Sequence, residues 1–117
     1  MLKKVLAKKL DKDRVEALVQ SELSFIESRC LFKEVYLFGS AARGEMTDFS
    51  DLDFLVVCRN EADLKYSKQN YYLHHHGNVW PVDIIFVTAE EYEKRSKTGG
   101  VCMVCKQEGR LLKSEAA

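Results

Sequence analysis

The sequence predicts an α/β domain in which helices cover a small β-sheet. Three observations lead to this fold class: one long segment with helical periodicity, three short apolar runs of strand length, and helix-type segments between those runs. The chain has 117 residues, which suits one domain around one hydrophobic core. We therefore expect residues 1–117 to form a single domain.

The first half of the chain predicts a helix, a strand, a helix start and a second strand. Apolar residues recur at steps of three and four in segment 13–29, as on one face of an amphipathic helix. The apolar run 35–38 stops at Gly39, which marks the end of a strand. Segment 40–43 contains a capping residue and helix formers, and the apolar segment 51–58 has the length of a strand.

The second half continues the alternation of helices and strands. Segment 61–76 is weakly periodic and predicts a helix. Segment 80–87 reads as a third strand, with a proline near its start that indicates an edge or an irregular entry. A capping-box pattern opens the helix predicted over 88–97. Segment 101–107 predicts one or two further helical turns, and segment 110–112 a last short strand.

The charge balance bounds the classes of partner. The chain has 18 Lys and Arg residues against 18 Asp and Glu residues, so its formal net charge is zero. A neutral chain has no global basic field, which argues against a dedicated nucleic-acid binder. The N-terminal segment has charges throughout, and no apolar segment reaches the length of a membrane span. We expect a cytoplasmic protein without a membrane partner.

The four cysteines are interpreted as reduced core thiols of a cytosolic protein. Cys58 ends an apolar strand and Cys30 follows the first helix. Cys102 and Cys105 have the spacing of redox and zinc motifs, but the sequence has no second pair with this spacing. A redox role for this one pair is the remaining alternative.

Two aspartates, Asp51 and Asp53, interrupt the second apolar strand. Because side chains alternate along a strand, both should lie on one face while Leu52 and Phe54 face the core. Two adjacent carboxylates repel each other unless a cation such as Mg²⁺ lies between them. Asp83 has the same alternating position in the third strand. If these strands are neighbours, three carboxylates converge, enough for two metal ions in a phosphoryl-type displacement.

The turn before the short helix predicts a phosphate site. Gly39 allows a close approach of the backbone, and the hydroxyl of Ser40 can donate to a phosphate oxygen. A helix N-terminus favours negative charge, and Arg43 lies one turn further on with a planar set of donors. Together with the carboxylates, this turn is typical of a nucleoside triphosphate site.

These residues carry a resemblance to a known superfamily. The pair at 39–40 (Gly-Ser), ten intervening residues and then Asp51-x-Asp53 resemble the signature of the DNA polymerase β nucleotidyltransferases. Segments 42–44 (Ala-Arg-Gly) and 50–53 (Ser-Asp-Leu-Asp) are similar to the small-domain branch, the minimal nucleotidyltransferases. The resemblance implies a polymerase β-like fold, in which a small mixed sheet carries helices mainly on one face.

The resemblance also implies a reaction and a set of metal ligands. Such domains transfer a nucleoside monophosphate, expected here to be AMP from ATP, to a hydroxyl group and release pyrophosphate. Asp51 and Asp53 would be the shared ligands of two Mg²⁺ or Mn²⁺ ions. Asp83 would bind the catalytic ion and help to deprotonate the acceptor hydroxyl.

Four further residues correspond to the nucleotide-binding positions of the superfamily. Gly39 and Ser40 would hold the β- and γ-phosphates, with Arg43 and Ser50 as helpers. The base of the nucleotide is not specified by any of these residues. The resemblance makes ATP the expected substrate, and another nucleoside triphosphate is the alternative.

The acceptor is expected to be another molecule. Roughly 30 residues follow Val87, too few for the acceptor-binding domain that larger members of the superfamily carry. Small prokaryotic proteins similar to this chain pair with helical HEPN proteins, and some are antitoxins that add AMP to a tyrosine of a HEPN ribonuclease toxin. A non-catalytic nucleotide-binding or toxin-neutralising subunit is the alternative. A homo-oligomer is left open.

Three features have plainer interpretations. Asp51 and Asp53 could also be ordinary polar residues on the solvent-exposed face of a half-exposed strand. The histidine run at 74–76 is typical of a solvated helix end, because three consecutive residues cannot face one point. Four aromatic residues favour core and boundary packing, with a partner surface as the alternative: Tyr66, Tyr71, Tyr72 and Trp80.

Overall fold

The computed structural model describes residues 7–74 and 80–115. Its elements follow the chain in the order α1 (Lys12–Arg29), β1 (Glu34–Phe38), α2 (Gly39–Ala42), β2 (Leu52–Cys58), α3 (Glu61–His74), β3 (Val82–Thr88), α4 (Ala89–Arg95), α5 (Gly100–Glu108) and β4 (Arg110–Ser114). Every element predicted from the sequence is present. The predicted end of the third helix at 75–76 and most of the histidine run lie outside the described residues.

The four strands form one mixed sheet in the order β3-β2-β1-β4. Strands β2 and β3 run parallel and are joined through α3, whereas β1 runs antiparallel to both of its neighbours, β2 and β4. Strand β3 begins at Val82, two residues later than predicted, directly after Pro81, which has no N–H to donate to the sheet. The carbonyl of Pro81 accepts the amide of Leu52 at the entry to the sheet. The fold class predicted from the sequence is confirmed.

Strand β2 is covered on both faces, which explains its nearly continuous apolar sequence. Leu52, Phe54 and Val56 are buried in the larger core layer, formed with helices α1 and α3. Leu55 and Val57 are buried in a smaller layer on the opposite face, formed with helices α4 and α5. The longer helices therefore share one face, and two short helices cover the other.

Helix α1 is fixed at its start by a cap and along its length by α3. The side chain of Asp11 accepts a hydrogen bond from the backbone amide of Arg14 at 2.8 Å, so it caps the helix. Further along, the hydroxyl of Tyr71 on α3 donates to the buried carboxylate of Glu22 at 3.2 Å. This contact satisfies a polar group within the larger core layer.

All four cysteines are buried and free, as the sequence predicted. Burial raises the pKa of the Cys30 thiol to about 12 and that of the Cys58 thiol to about 11. Burial likewise raises the pKa of the Cys105 thiol to about 12. Thiols with such pKa values stay protonated near neutral pH and are poor nucleophiles, as expected of core residues.

The length and composition of a helix decide whether it could span a membrane. Within residues 7–74 and 80–115, no helix combines the length and the apolar character that a bilayer span requires.

Candidate active site

Asp53 and Asp83 are direct neighbours on adjacent parallel strands. The register of β2 and β3 pairs these two residues, near the start of each strand. Both occupy the face of the sheet that carries Leu55 and Val57, because they alternate with the residues of the larger core layer. Asp53 is half-buried and Asp83 is exposed. The prediction that the two strands are neighbours is therefore confirmed.

Asp51 lies just outside this pair. Strand β2 begins at Leu52, so the prediction that Asp51 starts the strand is wrong by one residue. The amide of Leu52 donates to the carbonyl of Pro81 at 3.0 Å, and Asp51 stays exposed at the entrance to β2. Its charge still reaches Asp53, since it contributes to the pKa shift of that residue.

The pKa of Asp53 shows the electrostatic strain of the site. Burial, then the charges of Asp83 and Asp51, raise the pKa of Asp53 from 3.8 to about 6, while Arg43 opposes the shift. Burial and the two neighbouring negative charges each penalise the ionised form of Asp53. A bound cation would reverse this penalty, because it stabilises ionised oxygens at short range.

Gly39 brings the backbone directly against Asp53. Its φ of +73° lies in the left-handed region that favours glycine. A Cβ atom at this position would overlap Oδ2 of Asp53 and lie 3.1 Å from its Cγ. The turn from β1 into α2 therefore requires glycine for its conformation and for the space that Asp53 fills. Ser40, half-buried, follows in the first turn of α2.

Arg43 ends α2 and is paired with two glutamates. Its Nε donates to Glu45 at 3.1 Å and its Nη1 donates to Glu108 at 3.3 Å. The guanidinium also lies near enough to Asp53 to favour the ionised form of that carboxylate. The structure thus places Arg43 within electrostatic reach of Asp53. Sequence reasoning missed Glu108, since no local pattern links residues 65 positions apart.

Ser50 has a structural role in the turn before β2. Its hydroxyl accepts from the backbone amide of Thr47 at 2.9 Å and lies 3.2 Å from the hydroxyl of Thr47. The indole Nε1 of Trp80 donates to the backbone carbonyl of Ser50 at 2.7 Å. Trp80 was expected to serve in packing, and it also fastens the segment that presents Asp51.

The remaining candidate residues divide between core and surface. Tyr71 is buried in the core, whereas Tyr66 and Tyr72 are exposed on α3. A cavity of about 510 Å³ includes none of the three aspartates in its lining. It is lined by Lys9, Leu10, Asp11, Lys12, Val15, Glu16, Ala41, Ala42, Gly44, Met46 and Arg110. Asp51 and Asp83 are exposed to solvent, and Asp53 between them is half-buried.

The donor set fits a cation that arrives with a phosphate ligand. In the described part of the chain, no group of three or more acidic, histidine or cysteine side chains is placed to hold one metal ion. Mg²⁺ is commonly bound by one or two carboxylates, with water and substrate phosphates as its other ligands. The Asp53–Asp83 pair, with Asp51 beside it, matches that mode better than a preformed protein cage.

The fold and the site together define a class of protein. Paired carboxylates on neighbouring strands, beside a glycine turn that opens a short helix, are the elements of a nucleotidyl-transfer site. The family model described as a nucleotidyltransferase domain matches residues 17–112. The chain therefore belongs to the nucleotidyltransferase domain family, and the enzyme class expected from its sequence is confirmed.

A solved structure supports the same assignment. The chain is similar to a candidate nucleotidyltransferase from Sulfolobus solfataricus, whose crystal structure was determined at 1.40 Å resolution. The sequence identity is 26%, the TM-score is 0.55, and the match covers 88% of this chain and 83% of that chain. No curated protein sequence matches the chain.

Proposed function

We propose that this domain transfers a nucleoside monophosphate, AMP from ATP, to a hydroxyl group of a partner protein in a reaction that depends on Mg²⁺. The observation that carries the proposal is the register pairing of Asp53 with Asp83, beside the turn at Gly39. Asp53 thus has a second carboxylate, the backbone of Gly39 and the charge of Arg43 near it. Transfer of a nucleotidyl group depends chiefly on such positioning and charge neutralisation.

The three aspartates have separate roles in this proposal. Asp51 and Asp53 would hold two Mg²⁺ ions, with Asp83 as a further ligand of one of them. Bound there, the ions would neutralise the charge that develops on the phosphate oxygens. Asp83 is exposed, so an incoming hydroxyl can reach its carboxylate and give up a proton to it.

The residues around α2 orient the triphosphate. Gly39 has no side chain to shield the backbone amides of the first turn from phosphate oxygens, and the hydroxyl of Ser40 would donate to one of these oxygens. Arg43 supplies a positive charge one turn away. Ser50 supports Asp51 through the turn that it closes with Thr47, so we assign it an indirect part.

The openness of the site supports a macromolecular acceptor. Asp51 and Asp83 are exposed, so the reacting point is accessible to a side chain on another protein. We propose a helical HEPN-family protein as this acceptor, with a tyrosine hydroxyl as the modified group and toxin neutralisation as the biological effect.

The test is transfer of label from ATP labelled at its α-phosphate. We expect the helical protein encoded beside this one to acquire label in the presence of Mg²⁺, and addition of EDTA to stop the reaction. Replacing Asp51 and Asp53 by asparagine should abolish labelling while leaving the fold intact. Labelling that persists in this double variant would show that the catalytic residues are elsewhere.

The alternative, a subunit that binds nucleotide without turnover, predicts a different result. The observation that favours this alternative is the pairing of Arg43 with two glutamates. These carboxylates offset the positive charge that would otherwise neutralise the phosphate during transfer. In that case the wild-type protein would bind ATP and neutralise its partner without releasing pyrophosphate. For the transferase, Asp83→Ala should retain ATP binding and lose transfer, so transfer by this variant at the wild-type rate excludes the role given to Asp83.

A further inference from the structure

The guanidinium of Arg43 is held at two of its edges. Glu45 accepts from Nε, and Glu108 accepts from Nη1. A guanidinium has five N–H donors in one plane, so contacts at two edges fix its orientation and leave the hydrogens of Nη2 for another acceptor. Because Glu45 is only two residues from Arg43, Glu108 is the contact that ties the side chain to another part of the fold.

Glu108 lies at a helix position that is unfavourable for a negative charge. It is the last residue of α5, and a negative charge at a helix C-terminus opposes the helix dipole. Its contact with Arg43 compensates this charge. The amide of Gly109 donates to the carbonyl of Cys105 at 2.9 Å, which closes the helix at this position.

The same end of α5 lies close to the catalytic carboxylates. Cys105 is buried one turn before Glu108, and the charge of Asp53 contributes to the raised pKa of its thiol. Gly109 has no room for a side chain, since an added Cβ atom would lie 2.9 Å from Cα of Cys105. The backbone that follows Glu108 is therefore packed closely against the last turn of α5.

We propose that Glu108 is a positioning residue that holds Arg43 in the orientation required to bind a phosphate group of the nucleotide. The inference rests on the proposed function and deepens it, because it adds α5 to the phosphate-binding machinery. The side chains of Arg43 and Glu108 are both exposed, and exposed ion pairs contribute little to the free energy of unfolding. Its effect should therefore appear in nucleotide binding rather than in stability.

The test is a double-mutant cycle read by ATP affinity. We expect Glu108→Ala to weaken binding of ATP with Mg²⁺ about fivefold, the size of coupling found between contacting charged residues. In an Arg43→Ala background the same substitution should have no effect. Glu108→Gln should bind within about twofold of wild type, because its amide oxygen can still accept from Nη1. Inorganic tripolyphosphate should reproduce the pattern, since the contact concerns phosphate alone.

The matched control is Glu93→Ala, which removes an exposed glutamate of α4 that pairs with Lys97. It should leave ATP affinity unchanged, and all variants should melt within a few degrees of wild type. Wild-type affinity in Glu108→Ala, or an equal loss in the Arg43→Ala background, overturns the positioning role and leaves the proposed function standing. A wild-type protein that binds no nucleoside triphosphate overturns both.

Discussion

The indole of Trp80 and the backbone carbonyl of Ser50 form a hydrogen bond of 2.7 Å. This contact joins the segment that enters β3 to the segment that enters β2. Asp51 follows Ser50 directly, and Asp83 follows Trp80 by three residues. The bond therefore ties the backbone that precedes Asp51 to the backbone that precedes Asp83.

Replacing Trp80 by phenylalanine should loosen this connection. An aromatic ring is kept, although a smaller one, and the carbonyl of Ser50 loses its donor, so we expect a loss of at least about 1 kcal/mol in the free energy of unfolding. Binding of ATP with Mg²⁺ should weaken a few-fold because Asp51 is less firmly held. Urea denaturation and calorimetric titration measure the two effects. Tyr66→Phe, at an exposed site, serves as the control and should change neither.

Two glycines allow conformational strain and steric overlap to be separated. Gly39 and Gly44 have φ values of +73° and +71°, but an added Cβ atom would meet Asp53 at Gly39 and nothing within 4 Å at Gly44. We expect Gly44→Ala to lose about 1 kcal/mol of stability from backbone strain alone. Gly39→Ala should lose about 2–3 kcal/mol and most of the nucleotide affinity. Equal losses in the two variants would show that the contact with Asp53 is unimportant.

Much of this fold could be predicted because its determinants are local. The alternation of Asp53 with Leu52 and Phe54 fixed the face of its side chain, and the position of Asp83 in its own strand did the same. Contacts between distant segments were not predictable. The pairing of Arg43 with Glu108 and the bond from Trp80 depend on how helices and loops pack, which single-residue patterns do not encode.

The start of α4 is a local feature that both sequence and structure identify. The hydroxyl of Thr88 accepts from the backbone amide of Glu91 at 3.1 Å, as the capping-box pattern predicted. Thr88→Ala should lower the free energy of unfolding by about 1 kcal/mol. Thr88→Ser keeps the accepting oxygen, so thermal denaturation should place it between alanine and wild type. A serine variant no more stable than the alanine variant would count against the cap.

The pH dependence of stability gives a test of the carboxylate cluster without substrate. The pKa of Asp53 is about 6 in the folded chain against 3.8 ordinarily, chiefly because of burial and then because of Asp83 and Asp51. The folded protein therefore binds this proton more tightly than the unfolded chain, so the contribution of Asp53 stabilises the fold as pH falls from about 7 toward 4.

Asp53→Asn removes the charge at every pH. In the absence of divalent ions we expect this variant to be more stable than wild type by about 1 kcal/mol at pH 7.5, a figure already reduced for solvent screening. The advantage should vanish near pH 4, where wild-type Asp53 is protonated. Urea denaturation of both proteins across this range measures the difference, in which the titration of other groups cancels. An advantage of the same size at both ends of the range would mean that Asp53 carries no unfavourable charge in the folded protein.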